Sequence, residues 1–191
     1  MSTADSRPIR LADEPLIKDG TSLRPWRDDD LAALTEAGQD PEISRWTSVP
    51  HPYREADARA YLRQRREATA AGATAPFAIA QPGDGRLLGS IALSRLHWAQ
   101  RRGEVGYWLA RWARGQGHAT RAVRLICAWG FSSLGLERIE LMAATGNLAS
   151  QRVAERCGFT REAVLRHHLR GRDGYQDMVV FGLLAGELPP G

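Results

Sequence analysis

The stretch from Arg102 to Ala144 constrains the fold more than any other part of the chain. RGEVGYWLAR (102 to 111) and ERIELMAA (137 to 144) both read as strands. Between them lies ARWARGQGHATRAVRLICAWGF, residues 110 to 131, in which two glycines stand among arginines where a helical pattern begins. Ala119, Ala122, Val123, Ile126, Gly130 and Leu134 recur at spacings of three and four, and Gly135 follows as a C-terminal stop. A chain that runs from strand through a glycine turn into a helix and back to a strand builds a sheet with helices packed on it.

The other segments fit such a sheet. TSLRPW (21 to 26) reads as a short strand, and Asp28 to Asp30 suit the positive end of the helix LAALTEAG. Residues 38 to 53, GQDPEISRWTSVPHPY, hold three prolines and read as loop. From Glu55 to about Ala70 a helix is expected, because Ala58, Tyr61 and Leu62 share one side of a charged surface. FAIAQ (77 to 81) and RLLGSIALSRL (86 to 96) flank an Asp84-Gly85 hairpin signal. A short helix spans about Leu148 to Cys157, and EAVLRHHL and YQDMVVFGLL are final strands joined by RGRDG, a second Asp-Gly turn. The order predicts a mixed α/β sheet in one domain over residues 21–186, with tails at 1–20 and 187–191.

Glycines at a helix N-terminus bring unpaired N–H groups and the positive dipole end together, which favours an anion. One such contact contributes only about 0.3–1 kcal/mol, so a diphosphate needs several donors plus cationic side chains. Arg111, Arg114, Arg121 and Arg124 are at hand. A P-loop is excluded because its motif requires a lysine, and Lys18 is the only lysine of the chain. GQGHAT is a poor dinucleotide loop: its sixth position is Thr120, and Glu137 precedes its strand instead of closing it. A plain tight turn before an amphipathic helix also fits the spacing.

Arg114-Gly115-Gln116-Gly117-His118-Ala119 matches the [QR]-x-x-G-x-[GA] pyrophosphate loop of the GNAT superfamily of acyl-CoA N-acyltransferases. EVGYWLA before it looks like that superfamily's splayed fourth strand. Asn147 to Phe159, NLASQRVAERCGF, is similar to the second signature of the RimJ/RimL-type branch, and the opening LRPWRDDDL and the ending DGYQDMVVFGLL also look like that branch. The resemblance covers about residues 20 to 185. It implies a mixed, mostly antiparallel sheet of about six to seven strands, flanked by about four helices and splayed around an acyl-CoA.

The same resemblance implies roles for particular residues. Backbone amides of Gln116 to Thr120 would hold the coenzyme A pyrophosphate, with Gly115 and Gly117 letting the backbone approach; the His118 side chain is placed to touch phosphate, and Arg114 and Arg152 to supply charge. Tyr107, Trp108 and Leu109 would line the pantetheine and offer amides to the acyl carbonyl. Asn147 would contact the pantetheine arm, although TGN before LASQRVAERCGF is also an ordinary N-cap signal. Ser150, one turn on, would hydrogen-bond the coenzyme A sulfur; a thiol of pKa near about 8.5 needs only modest help to leave. Glu104 would be the general base for the amine. Trp46, Tyr53, His97 and Trp98 are candidate walls of the acceptor pocket.

Composition narrows the remaining classes. Hydrophobic residues at 43% and charged residues at 25% are globular values, and no apolar run reaches the length of a membrane span. The first twenty residues lack a signal-peptide pattern, so a cytoplasmic location is expected. The net charge of +4 raises nucleic acid as a partner, but acids are interleaved with the arginines throughout, which counts against it. Cys127 and Cys157 form no CxxC and have no histidine at ligand spacing, so no metal is expected. The functional expectation is an N-acetyltransferase using acetyl-CoA or another short acyl-CoA. A protein N-terminus, a small-molecule amine or an antibiotic amine is the acceptor. A non-catalytic acyl-CoA-binding module and a homodimeric assembly both stay open.

Overall fold

The computed structural model describes residues 7–172 and 174–189. Its strands are β1 (Leu16–Lys18), β2 (Thr21–Arg24), β3 (Ala75–Ala80), β4 (Leu87–His97), β5 (Arg102–Leu109), β6 (Arg138–Ala144), β7 (Thr160–Gly171) and β8 (Gly174–Leu184). Its helices are α1 (Leu31–Gly38), α2 (Pro41–Trp46), α3 (Glu55–Ala70), α4 (His118–Ser133) and α5 (Leu148–Arg156). The strands form one sheet in the order β1-β2-β3-β4-β5-β6-β8-β7. Every neighbouring pair is antiparallel except β5 with β6, which the crossover through α4 makes parallel.

Strand periodicity divides the core between the two faces. Phe77, Ile79, Ile91, Leu93, Val105, Ile139 and Leu141 turn to one side and meet Ala122, Val123, Ile126 and Cys127 of α4. Ala78, Leu87 and Trp108 turn to the other and meet Leu34, Ala58 and Leu62 of α1 and α3. The sheet is slightly larger than the six to seven strands and four helices expected. β1 is too short to announce itself in sequence, and α2 starts inside the stretch read as loop. There Asp40 caps the helix by accepting from the Glu42 amide at 3.0 Å, with Pro41 at its first position.

Residues 1–6 of the expected N-terminal tail lie outside the described residues, but the segment after them is part of the domain. Ile9 is buried in the main core, and β1 pairs with β2. At the other end, Leu188 packs on the core and Pro189 lies against Gly158; residues 190 and 191 are outside the described residues. Asp173 of the RGRDG turn is outside them as well.

The site is positioned by a break in the sheet. β5 pairs with β6 only from Arg102 to Val105, opposite Arg138 to Leu141. Past that point β5 keeps its partner β4 out to Leu109, and β6 keeps β8 out to Ala144, but the two no longer pair with each other. A wedge therefore opens between Gly106–Leu109 and Met142–Ala144. The turn into α4 and the start of α5 lie along it.

Candidate active site

A cleft of about 930 Å³ runs through this wedge and continues under α2 and α3. One end is walled by Gly115, Gly117, Ala119 and Thr120, the middle by Tyr107, Trp108, Leu109, Asn147 and Ser150. The far end is walled by Glu104, Trp46, Tyr61, Arg95 and His168.

The phosphate end is a turn whose backbone only glycine adopts easily. Gly115 has φ +76° and Gly117 has φ +79°, and Gly117 is the N-cap of the 16-residue α4. Arg121 holds the turn from below: its Nη2 donates to the Gln116 carbonyl at 2.6 Å and its Nε to Thr21 Oγ1 at 2.9 Å. The open N–H groups of a long helix and its dipole thus face the cleft, an arrangement that suits a diphosphate.

The loop arginines, expected to supply the charge, also have protein partners of their own. Arg114 lies on the cleft wall, but its guanidinium donates to the Leu109 carbonyl at 3.0 and 3.2 Å and pairs with Asp40 at 2.8 Å. Arg111 pairs with Glu36, Arg121 buttresses the turn, and Arg124 donates to the Arg156 carbonyl at the end of α5. Further cationic lining comes from Arg152, which the sequence had suggested, and from Arg156, which it had not.

His118 is a second departure. Its side chain is 8% exposed and turns inward, with Nδ1 at 2.8 Å from Thr21 Oγ1, and it does not line the cleft. Burial first, and Arg121 second, push its pKa down, so a neutral ring is favoured. Only its backbone amide stays available to a ligand at the turn. Gln116 likewise spends its side chain on the Trp112 carbonyl.

Asn147 performs the capping role: its Oδ1 accepts from the Ser150 amide at 3.1 Å while the residue also lines the cleft. Ser150 stands one turn into α5 and accepts a hydrogen bond from the Tyr107 hydroxyl at 3.2 Å, across the wedge from β5. Burial raises the Tyr107 pKa to about 12, against the smaller lowering effect of Ser150.

Glu104 sits one residue before β5 and β6 part, with its side chain 20% exposed. Burial raises its pKa; Arg95 acts against this from 3.2 Å, Glu140 adds to it, and His168 lowers it. Arg95 reaches the carboxylate because β4 carries an irregularity between Ser94 and His97, where Arg95 takes φ +49°.

Of the four proposed acceptor walls, two line the cleft. Trp46 does so, its Nε1 donating to Glu42 Oε2 at 3.2 Å. Tyr53 does so while remaining 5% exposed, its ring packed on Gly38 in the second core. His97 and Trp98 do not: they lie at the end of the β4–β5 hairpin, and Trp98 packs on the main core. The sequence reading missed Tyr61, Ser90, Arg95 and His168. Tyr61 Oη and Ser90 Oγ lie 2.7 Å apart, and Arg65 stacks over the Tyr61 ring at 4.5 Å. Among the described residues no group of three or more His, Cys, Asp or Glu could hold a metal ion.

The profile described as Acetyltransferase (GNAT) domain matches residues 21–160. YdaF of Bacillus subtilis (strain 168), named provisionally as a ribosomal N-acetyltransferase, is 38% identical over 104 residues, 54% of this chain and 57% of that protein. The chain thus spans little more than half of that relative. An uncharacterized N-acetyltransferase, p20 of Bacillus licheniformis, is 26% identical over 91% of this chain and 98% of its own length. Among solved structures, Mycobacterium smegmatis RimJ in complex with CoA-disulfide superposes with TM-score 0.81 at 26% identity, covering 89% of this chain and 84% of that one.

Proposed function

Since the chain belongs to the GNAT acetyltransferase family, we propose that it transfers an acetyl or other short acyl group from an acyl-CoA directly to a primary amine. The observation that carries this reading is the wedge between β5 and β6, with the glycine turn and helix start of α4 at one end and a partly buried carboxylate at the other. The similar RimJ structure holds CoA-disulfide, which supports a coenzyme A ester as the donor here.

In this reading the turn from Gly115 to Thr120 takes the pyrophosphate on its backbone amides, with Arg152 and Arg156 adding charge from α5. Asn147 and the open edge of Gly106–Leu109 hold the pantetheine and the acyl carbonyl. Glu104 takes a proton from the attacking nitrogen, directly or through water, as the carbon–sulfur bond breaks. Its raised pKa makes it a stronger base than an ordinary carboxylate. Ser150 faces the departing sulfur.

A protein N-terminal α-amine is the acceptor this chemistry favours. At pH 7 roughly a tenth of an α-amine of pKa about 7.8 is neutral, against about 0.04% of a lysine amine of pKa about 10.4, a difference of about 3.5 kcal/mol. The names of YdaF and of the ribosomal-protein-serine acetyltransferase of Escherichia coli (strain K12), 30% identical over 95 residues, support that class. The test is a thermal-shift titration with acyl-CoAs, followed by thiol release against N-terminal peptides, lysine peptides, polyamines and aminoglycosides. Acetyl-CoA should raise the melting temperature and peptides with free N-termini should release thiol fastest. No response to any coenzyme A ester overturns the reading, and faster release with a small amine transfers the acceptor to that class.

A further inference from the structure

Ser150 is held by a group from the opposite wall of the wedge. Tyr107 lies on β5 beyond its last pairing with β6, so its strand edge faces open space, and its side chain crosses to α5, 43 residues away in sequence, to donate to Ser150 Oγ at 3.2 Å. The ring packs against the main core, which fixes where the hydroxyl sits. The Ser150 backbone is fixed independently by the Asn147 cap. A serine hydroxyl has one proton and two lone pairs. With one lone pair taken by Tyr107, the Ser150 proton is left to point elsewhere, and the cleft is the space on its open side.

Resting on the acyl-transfer reading, we propose that Tyr107 is a positioning residue that aims and polarises the Ser150 hydroxyl toward the sulfur of coenzyme A. The chemistry balances without a relay of protons. The amine nitrogen forms its bond to the acyl carbon, the carbon–sulfur pair leaves on sulfur, and the nitrogen proton goes to Glu104 or its water. The thiolate accepts a hydrogen bond from Ser150 Oγ–H, and Ser150 keeps its proton. A thiol near pKa about 8.5 leaves readily as an anion, so a strengthened hydrogen bond is the help required. Tyr107 suits the role because burial keeps its hydroxyl protonated and therefore a donor at every pH where the enzyme works. The other titratable group near it is Cys157 at the end of α5, whose thiol burial also keeps protonated and which donates to the Thr120 carbonyl at 3.4 Å.

The test uses the full chain, coenzyme A as the probe, and Tyr107→Phe, Ser150→Ala and their double variant. Tyr107→Phe removes one oxygen and keeps the ring in its packing. The thiol of bound coenzyme A, followed by ultraviolet thiolate absorbance, should titrate in the wild type below the value measured for free coenzyme A in the same buffer. It should move up by about half a pH unit or more in each single variant, and no further in the double variant. Turnover should follow the same cycle: kcat lower by about tenfold in Tyr107→Phe with KM for acetyl-CoA unchanged, and no additional loss on the Ser150→Ala background. Equal losses on both backgrounds would show that Tyr107 acts independently of Ser150 and would overturn the inference. Identical titrations in all four proteins would overturn it while leaving the donor reading intact. If coenzyme A fails to bind the wild type at all, both fall together.

Discussion

At the level of single residues, Glu104 is the proposed base, and its surroundings pull in two directions. Burial and Glu140 favour the protonated acid, while Arg95 and His168 favour the carboxylate, and burial prevails. A base with a raised pKa becomes active only as pH climbs past that value, so the rising limb of kcat/KM should lie above the about 4.3 of an ordinary glutamate. Arg95→Ala removes the cation that stabilises the carboxylate, so its limb should move to still higher pH. Glu104→Gln should lower kcat by about 10²–10⁴-fold at all pH values. These profiles are best read with a weakly basic amine, whose own deprotonation does not mask the limb; an Arg95→Ala limb at or below the wild-type position would contradict the assignment. That Glu104 and Ser150 would line the cleft was legible, Glu104 from its place early in the strand EVGYWLA and Ser150 from standing one turn after a capping asparagine. Arg95 was not, since nothing in SRLH announces the irregularity that turns it toward Glu104. His118 could have been read better: Ala122, Ile126 and Gly130 define a stripe at steps of four, and one step back reaches residue 118 on the buried face.

At the level of elements, the sequence disclosed what repeats and hid what depends on one local bond. The period of α4, the segments read as β3 to β6 and the Asp-Gly signal at 84–85 all fell where the chain forms those elements. The helix α2 escaped because three prolines suggested loop, although Asp40-Pro41-Glu42 is a helix-start signal in its own right. The arginines around the glycine turn were read as ligands for phosphate, yet Arg121 is part of the turn's construction. Gly117 illustrates the consequence. An alanine there carries the about 1–2 kcal/mol of a left-handed residue, and its Cβ would stand 2.7 Å from Arg121 Nη1. Arg121 would have to leave the Gln116 carbonyl or Thr21, and the amides facing the cleft would lose their alignment. Gly117→Ala should therefore weaken acetyl-CoA binding by about tenfold or more in isothermal titration, while the melting temperature falls by only about 2–8 °C. Wild-type affinity in that variant would show that the turn's amides do not hold the donor.

Across the whole molecule, the sheet behaves as two antiparallel halves, β1 to β5 and β6 to β8 with β7, joined along four residue pairs and by α4 crossing behind them. That junction was implicit in the strand–helix–strand order, but its early end at Val105 was not, because pairing length depends on side chains from distant segments. The halves meet again over the acceptor end, where Arg172 Nη2 of the β7–β8 hairpin donates to the Val49 carbonyl at 3.1 Å. A ligand lying in the wedge bonds to both halves and supplies the contacts that β5 and β6 do not make to each other. At a concentration of about 100 times Kd it should add about 2.7 kcal/mol to folding, which for a chain of this size raises the melting temperature by about 5–10 °C. Hydrogen exchange locates that gain. Acetyl-CoA should slow exchange at the open-edge amides of Gly106–Leu109 and at Gly115–Thr120, because neither group has a strand partner across the gap. Amides of β2 and β3, already paired on both sides in the first half, should change little. Protection spread evenly over the sheet would mean that the ligand tightens the fold generally and does not bridge the wedge; unchanged exchange at the open-edge amides of Gly106–Leu109 would place the donor outside it.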